Sequence, residues 1–202
     1  MGQRSQIYVR YNGKLLFANY YQWNYAERMI SRARWGMEHI KYYVDNGYDF
    51  AFNDSHYIEK MRRMFDVNFD MKDIVMSCDI VKEWEEQFAD DDPFSFNDVV
   101  FNGQDNNDGQ LYIDIKGKQM YYGFRDWTRH EDQTTSDVIM SASEYMDWDA
   151  EDWENSQYIP DEMKETCREN IKAIEQMAEL MTLEDLDDFI QGNYIAGKEN
   201  RT

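Results

Sequence analysis

The alternation of apolar and polar residues at the start of the chain predicts a β-hairpin. In SQIYVRYNGKLLFANYY the alternation continues on both sides of Asn12-Gly13, a dipeptide typical of two-residue hairpin turns. Both turn positions need a positive φ, which asparagine and glycine adopt more readily than other residues. We therefore expect strands over residues 6–11 and 14–21.

The next segment has apolar residues every three or four positions, which predicts a long helix. Asn24 is the expected N-cap, with Glu27 three residues later completing a capping box. Asn46-Gly47 is expected to end the helix. The predicted buried positions are Ala26, Met29, Ile30, Ala33, Met37, Ile40 and Val44. Three basic side chains off this face are expected to face solvent or to pair with acidic residues: Arg28, Arg32 and Arg34.

The middle of the chain mixes helical and strand patterns. Residues 56–65 and 71–89 are predicted as helices, although DIVMSCDIV within the second is also compatible with a strand. After an acidic break, DVVFNG, QLYIDI and QMYYGFRDW predict a three-stranded meander. Residues 126–140 are expected to form a polar loop.

Helical patterns fill the rest of the chain. The stretch EYMDWDAEDWEN predicts a short helix, and a longer helix is expected from Pro160 to about Met181. Thr182 should cap a last short helix that Gly192 closes. The sequence thus predicts an α+β fold, with an N-terminal β-hairpin and long helix, a central three-stranded antiparallel meander and a helical acidic C-terminal part. One domain over residues 1–202 is expected, with 1–92 and 93–202 as sub-lobes if it divides.

The chain carries a net charge of -20, and this charge is unevenly distributed. Residues 1–44 contain seven basic and two acidic side chains, whereas the remainder contains 14 basic and 39 acidic ones. A strongly negative field repels nucleic acid and speeds association with basic surfaces. The alternative is that the acidity serves only to keep the protein soluble.

The acidic residues are densest in EYMDWDAEDWEN, where aromatic residues lie between them. On a helix, Met146, Ala150 and Trp153 form a narrow apolar stripe that can pack on the core, which leaves Tyr145 and Trp148 on other faces. Carboxylates on a rigid scaffold can take the place of nucleic-acid phosphates, with an aromatic side chain as an anchor. The alternative is a solvated helix face with Trp148 partly buried. The predicted partner-binding residues are Asp147, Trp148, Asp149, Glu151, Asp152 and Glu154, together with Asp90, Asp91 and Asp92 of a second acidic run.

Few residues suggest catalysis or metal binding. Three histidines and two cysteines show no metal-ligand spacing, and we expect neither a metal nor a cofactor. In LYIDIKGK, Asp114 and Lys116 resemble half of the PD-(D/E)xK nuclease motif, in which a carboxylate holds a metal and a lysine orients water. Asp98 or Asp105 could supply the further carboxylate. Ordinary alternation on a half-exposed strand explains the same pattern.

A resemblance adds to this interpretation. The opening MGQRSQIYVRYNGKLLFANYYQWNYAERMISRARWGMEHI resembles small proteins carried by phages and integrated elements of Gram-positive bacteria. The size and acidity are similar to those of anti-CRISPR and anti-restriction proteins, several of which imitate nucleic acid. The resemblance implies a non-enzymatic inhibitor in the cytoplasm of a host bacterial cell. Its partner would be a nucleic-acid-binding defence protein, such as a CRISPR effector with a basic groove, and no membrane would be involved. The basic segment 1–44 departs from a uniformly acidic mimic; it could touch nucleic acid or cover part of the protein's own acidic surface.

Overall fold

The computed structural model describes residues 4–48, 55–75, 77–80, 109–125 and 139–192. Helices and strands are both present, in an α+β arrangement that begins with a hairpin and a helix, as predicted. The strands are β1 (Arg4–Tyr11), β2 (Lys14–Gln22), β3 (Val67–Asn68), β4 (Asp73–Ile74), β5 (Cys78–Asp79), β6 (Gln110–Lys116), β7 (Gln119–Arg125), β8 (Ile139–Met140) and β9 (Glu179–Leu180). The helices are α1 (Ala26–Asp45), α2 (Ser55–Met64), α3 (Ala142–Asp149), α4 (Asp161–Met177) and α5 (Leu183–Ile190), with a 3-10 turn at Trp153–Asn155.

The main sheet has the strand order β5-β2-β1-β6-β7-β8, and β9 also pairs with β7. The β1–β2 hairpin confirms the sequence prediction, with φ of 46° at Asn12 and 80° at Gly13. The antiparallel β6–β7 pair is also confirmed, and Gly117 turns it with φ of 65°. The predicted strand DVVFNG lies outside the described residues. The parallel pairing of β1 with β6, which joins the two hairpins into one sheet, was not predicted.

Helix α1 follows the predicted apolar pattern but not the predicted cap. The N-cap is Tyr25, whose side chain makes no capping bond. Asn24 is instead fully buried: its amide donates to Ser5 Oγ at 2.8 Å and accepts from Arg32 Nε at 3.0 Å. The capping-box prediction for Asn24 and Glu27 is therefore wrong, because buried partners occupy the asparagine side chain.

Arg32 was expected to face solvent or to pair with an acidic residue. It is fully buried, and its Nη2 lies 3.5 Å from Asp73 Oδ1, which confirms the ion-pair alternative. Its Nη1 donates to the backbone oxygens of Phe65 and Asp66, at 2.9 and 2.6 Å. These two carbonyls follow helix α2, where no further turn of helix accepts their hydrogen bonds. Arg32 thereby fixes the end of α2 against α1.

Several predicted boundaries differ in the structure. Within residues 71–89, the short strands β4 and β5 lie in the segment for which the strand alternative was given, whereas Ile80 is helical and residues 81–89 lie outside the described part. Strand β4 pairs with β3, and β5 pairs with the edge of β2, so that tertiary pairing overrides the helical pattern. The loop predicted over 126–140 ends in β8, and α4 stops at Met177 because the next residues enter the sheet as β9.

Helices cover both faces of the sheet. One face packs against α1, α3 and α4, and its buried core runs from Ile7 to Ala178. On the opposite face, α5 covers the stacked rings of Tyr8 and Tyr112, with Phe189 edge-on to Tyr112 at 5.2 Å. Among the described residues, no helix has the length and apolar character needed to cross a bilayer.

Candidate acidic interaction surface

A reciprocal capping box starts helix α3, which carries the first part of the acidic stretch. The Glu144 N–H donates to Ser141 Oγ at 3.2 Å, and the Ser141 N–H donates to Glu144 Oε2 at 2.8 Å. These hydrogen bonds to Ser141 lower the pKa of Glu144. The cap therefore sets the direction in which the following carboxylates leave the helix.

The aromatic residues of the stretch lie mostly inside the protein. Tyr145 is fully buried and stacks on Phe124 with ring centroids 4.5 Å apart, so its expected position on another face is wrong. Trp148 is half-buried against the core, 5.8 Å from Tyr145. Trp153 is buried as predicted, but α3 ends at Asp149, and Trp153 reaches the core from a separate 3-10 turn.

Asp149 has a structural contact that its position in the stretch does not suggest. Its Oδ2 accepts from the Ala26 N–H at 2.6 Å and from the Tyr145 hydroxyl at 3.0 Å. The carboxylate thus caps α1 from another element, at the helix end that favours negative charge. Burial raises the pKa of Asp149, and it also raises the pKa of neighbouring Glu27.

The other carboxylates of the stretch are exposed. Asp147 accepts from Trp153 Nε1 at 3.1 Å, and Asp152 accepts from Asn155 Nδ2 at 2.7 Å. These bonds fix the carboxylates and leave acceptor capacity on each for a partner. Asp90, Asp91 and Asp92 lie outside the described residues.

Helix α4 extends the acidic region. Arg168, on α4 itself, joins this helix to the 3-10 turn, with Nη1 2.5 Å from Glu154 and Nη2 2.7 Å from Glu165. The only basic side chain between positions 147 and 165 is Lys164, which is buried. We define the acidic surface as the exposed carboxylates of this range: Asp147, Glu151, Asp152, Glu154, Asp161, Glu162 and Glu165. Three of these residues, Asp161, Glu162 and Glu165, are not among the predicted partner-binding residues, although their polar positions in the α4 pattern mark them as exposed.

Five of the seven basic residues of segment 1–44 form ion pairs with the protein's own acidic residues. Ion pairs join Arg28 to Asp73 at 2.7 Å and Arg34 to Glu38 at 2.7 Å. Further ion pairs involve Arg10, Arg32 and Lys41. None of these ion pairs includes a carboxylate of the acidic surface. These ion pairs therefore leave the charge of the acidic surface in place.

Asp114 and Lys116 lie on β6 and on the same side of the strand, but their partners differ from those of a nuclease motif. Arg10 donates two hydrogen bonds to Asp114, from Nε to Oδ1 at 2.9 Å and from Nη2 to Oδ2 at 2.7 Å. Both side chains are buried. Lys116 Nζ lies 3.6 Å from Asp114 and 2.9 Å from Asp185. The bond from Lys116 lowers the pKa of Asp185 to about 2.

These contacts give Asp114 and Lys116 a structural role. Arg10 also donates to Asp188 Oδ2 at 2.9 Å and lies over the Phe189 ring, so the ionic cluster fixes α5 on the sheet. Asp98 and Asp105 lie outside the described residues. Within the described part of the chain, no group of three or more His, Cys, Asp or Glu is placed to hold a metal ion.

Comparison with protein-family models, with curated proteins and with solved structures gave no match for this chain.

Proposed function

We propose that this protein is a phage- or mobile-element-encoded inhibitor that binds a nucleic-acid-handling defence protein of the host. The partner would be a CRISPR effector or a similar protein with a basic groove. The observation that carries the proposal is the acidic surface, in which seven exposed carboxylates follow one another between Asp147 and Glu165. The capping box, the 3-10 turn and α4 hold these groups on a folded scaffold.

The inhibitor would act by occupying the partner's nucleic-acid site. A groove that binds nucleic acid presents Lys and Arg side chains to phosphate, and carboxylates satisfy the same donors. Opposite fields accelerate the encounter, whereas salt weakens it. No covalent step is needed, so the protein would inhibit in a fixed ratio to its partner.

The buried Arg10–Asp114 pair favours this proposal over a metal-dependent nuclease. Two hydrogen bonds from one guanidinium engage both oxygens of the carboxylate that would have to bind the metal. Releasing Asp114 would leave Arg10 buried without this partner, at a cost of several kcal/mol, about 3–5 for a broken buried pair. We therefore expect Asp114 to support the fold.

The proposal can be tested by phage infection of a host with an active CRISPR or restriction defence. Expression of the protein should restore plaque formation, and the triple variant Asp147→Asn, Glu151→Gln, Asp152→Asn should not. Each replacement keeps the side-chain size and an oxygen acceptor, so the fold should persist. Full protection by the folded triple variant would refute the role of the acidic surface.

The chain offers a matched control on the opposite face of the sheet. Glu179, Glu184 and Asp187 are exposed and lie on β9 and α5. Replacing them by Gln, Gln and Asn removes the same number of charges away from the acidic surface. This control variant should protect phage as well as the wild type does, which separates local recognition from net charge.

A further inference from the structure

Among the tryptophans that the structure describes, Trp23 is the exposed one. It connects β2 to α1, and 56% of the residue is exposed. Its φ is 62°, in the left-handed region that a bulky residue rarely adopts. Trp148 packs against the core although the sequence placed it among the carboxylates, and Trp153 is buried in the core as predicted.

Buried residues on both sides hold this connection in place. Before it, Tyr21 is fully buried, and its hydroxyl accepts from Asn19 Nδ2 at 2.8 Å. After it, Asn24 is fully buried with bonds to Ser5 and Arg32. The backbone at Trp23 is therefore held between two fixed positions, so a partner that binds the exposed indole has little backbone to order.

The Asp149 cap connects the segment that follows Trp23 to the acidic stretch. Ala26, three residues after Trp23, donates its N–H to Asp149 at 2.6 Å. Asp149 in turn precedes the exposed Glu151 and Asp152 by two and three positions. Along the chain, the exposed indole and these exposed carboxylates thus each lie within three positions of one capping contact.

We propose that Trp23 is an arginine anchor of the acidic surface, at which a partner guanidinium stacks on the indole while carboxylates accept its N–H groups. The inference deepens the proposed function and rests on it for the identity of the partner. A guanidinium is planar, less strongly hydrated than an ammonium and suited both to aromatic stacking and to carboxylate pairing. The protein contains the same stacking internally, where Arg34 Cζ lies 3.3 Å from the ring centroid of Trp35.

The anchor can be tested with peptides, without knowledge of the natural partner. Oligo-arginine and oligo-lysine peptides of equal length would be titrated against the full chain by calorimetry. The wild type should bind the oligo-arginine peptide more tightly than the oligo-lysine peptide. Trp23→Ala should weaken that binding about five- to tenfold, as expected for a lost cation–π contact, and should change lysine-peptide binding less. The control Tyr42→Ala, which removes another exposed aromatic residue, should bind both peptides as the wild type does.

A second variant guards against an effect on folding. Trp23→Gly suits the left-handed backbone and removes the ring. It should bind the arginine peptide as weakly as Trp23→Ala does, and it should unfold at a urea concentration equal to or higher than that of Trp23→Ala. Unchanged affinity of both variants for the arginine peptide would overturn the anchor. If Trp23→Ala lowered the affinity for both peptides equally, the proposed selectivity of the anchor for arginine would be overturned.

The two proposals fail in different experiments. Phage protection by the wild type, combined with Trp23-independent peptide binding, would overturn the anchor alone. Trp23-dependent arginine binding by a protein that gives no phage protection would overturn the proposed function and leave the anchor chemistry in place.

Discussion

The contact between Asp149 and Ala26 makes a sharp prediction about stability. The carboxylate caps α1 across 123 residues of sequence and also accepts the hydroxyl of buried Tyr145. Loss of a helix cap costs about 0.5–2 kcal/mol. A buried hydroxyl without its acceptor costs about 1–3 kcal/mol. We expect Asp149→Ala to lower the free energy of unfolding by about 2–4 kcal/mol at pH 7.

Asp149→Asn separates the hydrogen bond from the charge. The amide oxygen can still accept. The variant loses the favourable contact between the charge and the helix end, worth about 0.3–1 kcal/mol, but it also loses the cost of burying that charge. The pKa values of Asp149 and Glu27 are both raised by burial, so the ionised forms are disfavoured in the folded chain. A raised pKa gives stability that is complete below the unfolded value, about 4, and is lost as pH rises through the folded value. Between about pH 4 and pH 7 the stability difference should therefore move in favour of the Asn variant.

Urea unfolding followed by circular dichroism at both pH values measures these effects. Glu151→Ala is the control, because this carboxylate is exposed two residues further along and should stay within about 0.5 kcal/mol of the wild type. An Asp149→Ala variant as stable as this control would refute the capping role. A pH dependence of opposite sign would refute the argument from the raised pKa values.

Two further variants test the core by the same unfolding measurement. Asp114→Ala leaves the buried Arg10 without its bidentate partner and should cost about 3–5 kcal/mol, whereas wild-type stability would reopen a functional role for that carboxylate. Gly36→Ala would place its Cβ 2.3 Å from the ring of buried Phe65, and forcing the ring to move should cost about 1–3 kcal/mol. An unchanged urea midpoint of the Gly36→Ala variant would show that the Phe65 ring moves aside without cost.

Elements determined by neighbouring residues were predictable from the sequence. The Asn12-Gly13 turn, the start of the last helix at Thr182 and the apolar face of α1 depend on local dihedral preferences and on helical spacing. Thr182 accepts from the Asp185 N–H at 3.1 Å, which confirms the predicted cap. Such features can be read along the chain because both partners lie within a few positions of one another.

Elements determined by distant partners were not predictable. Asn24 has the residue type and the spacing of an N-cap, yet Asp149 does the capping and Asn24 bonds to Ser5 and Arg32. The parallel pairing of β1 with β6 likewise leaves no local pattern in either strand, because one register among many is selected by the shared core.

The candidate surface shows the same division. The acidic character of the stretch could be read from composition, because carboxylates are seldom buried. The exposure of its aromatic residues could be predicted only in part. Trp153 was predicted in the core, whereas the burial of Tyr145 was not, because it depends on stacking against Phe124 of β7. The exposed indole comes instead from Trp23, more than a hundred positions earlier.

The most direct test of the proposed inhibition is competition between this protein and nucleic acid for one purified effector. The effector would be captured from the host on the wild-type chain, and displacement of labelled nucleic acid would be measured at low and moderate salt. We predict stoichiometric displacement by the wild type that weakens with salt. The triple variant Asp147→Asn, Glu151→Gln, Asp152→Asn should need at least about tenfold more protein, and the matched control on β9 and α5 should equal the wild type. Equal displacement by the triple variant and the wild type, or simultaneous binding of protein and nucleic acid, would contradict the proposal.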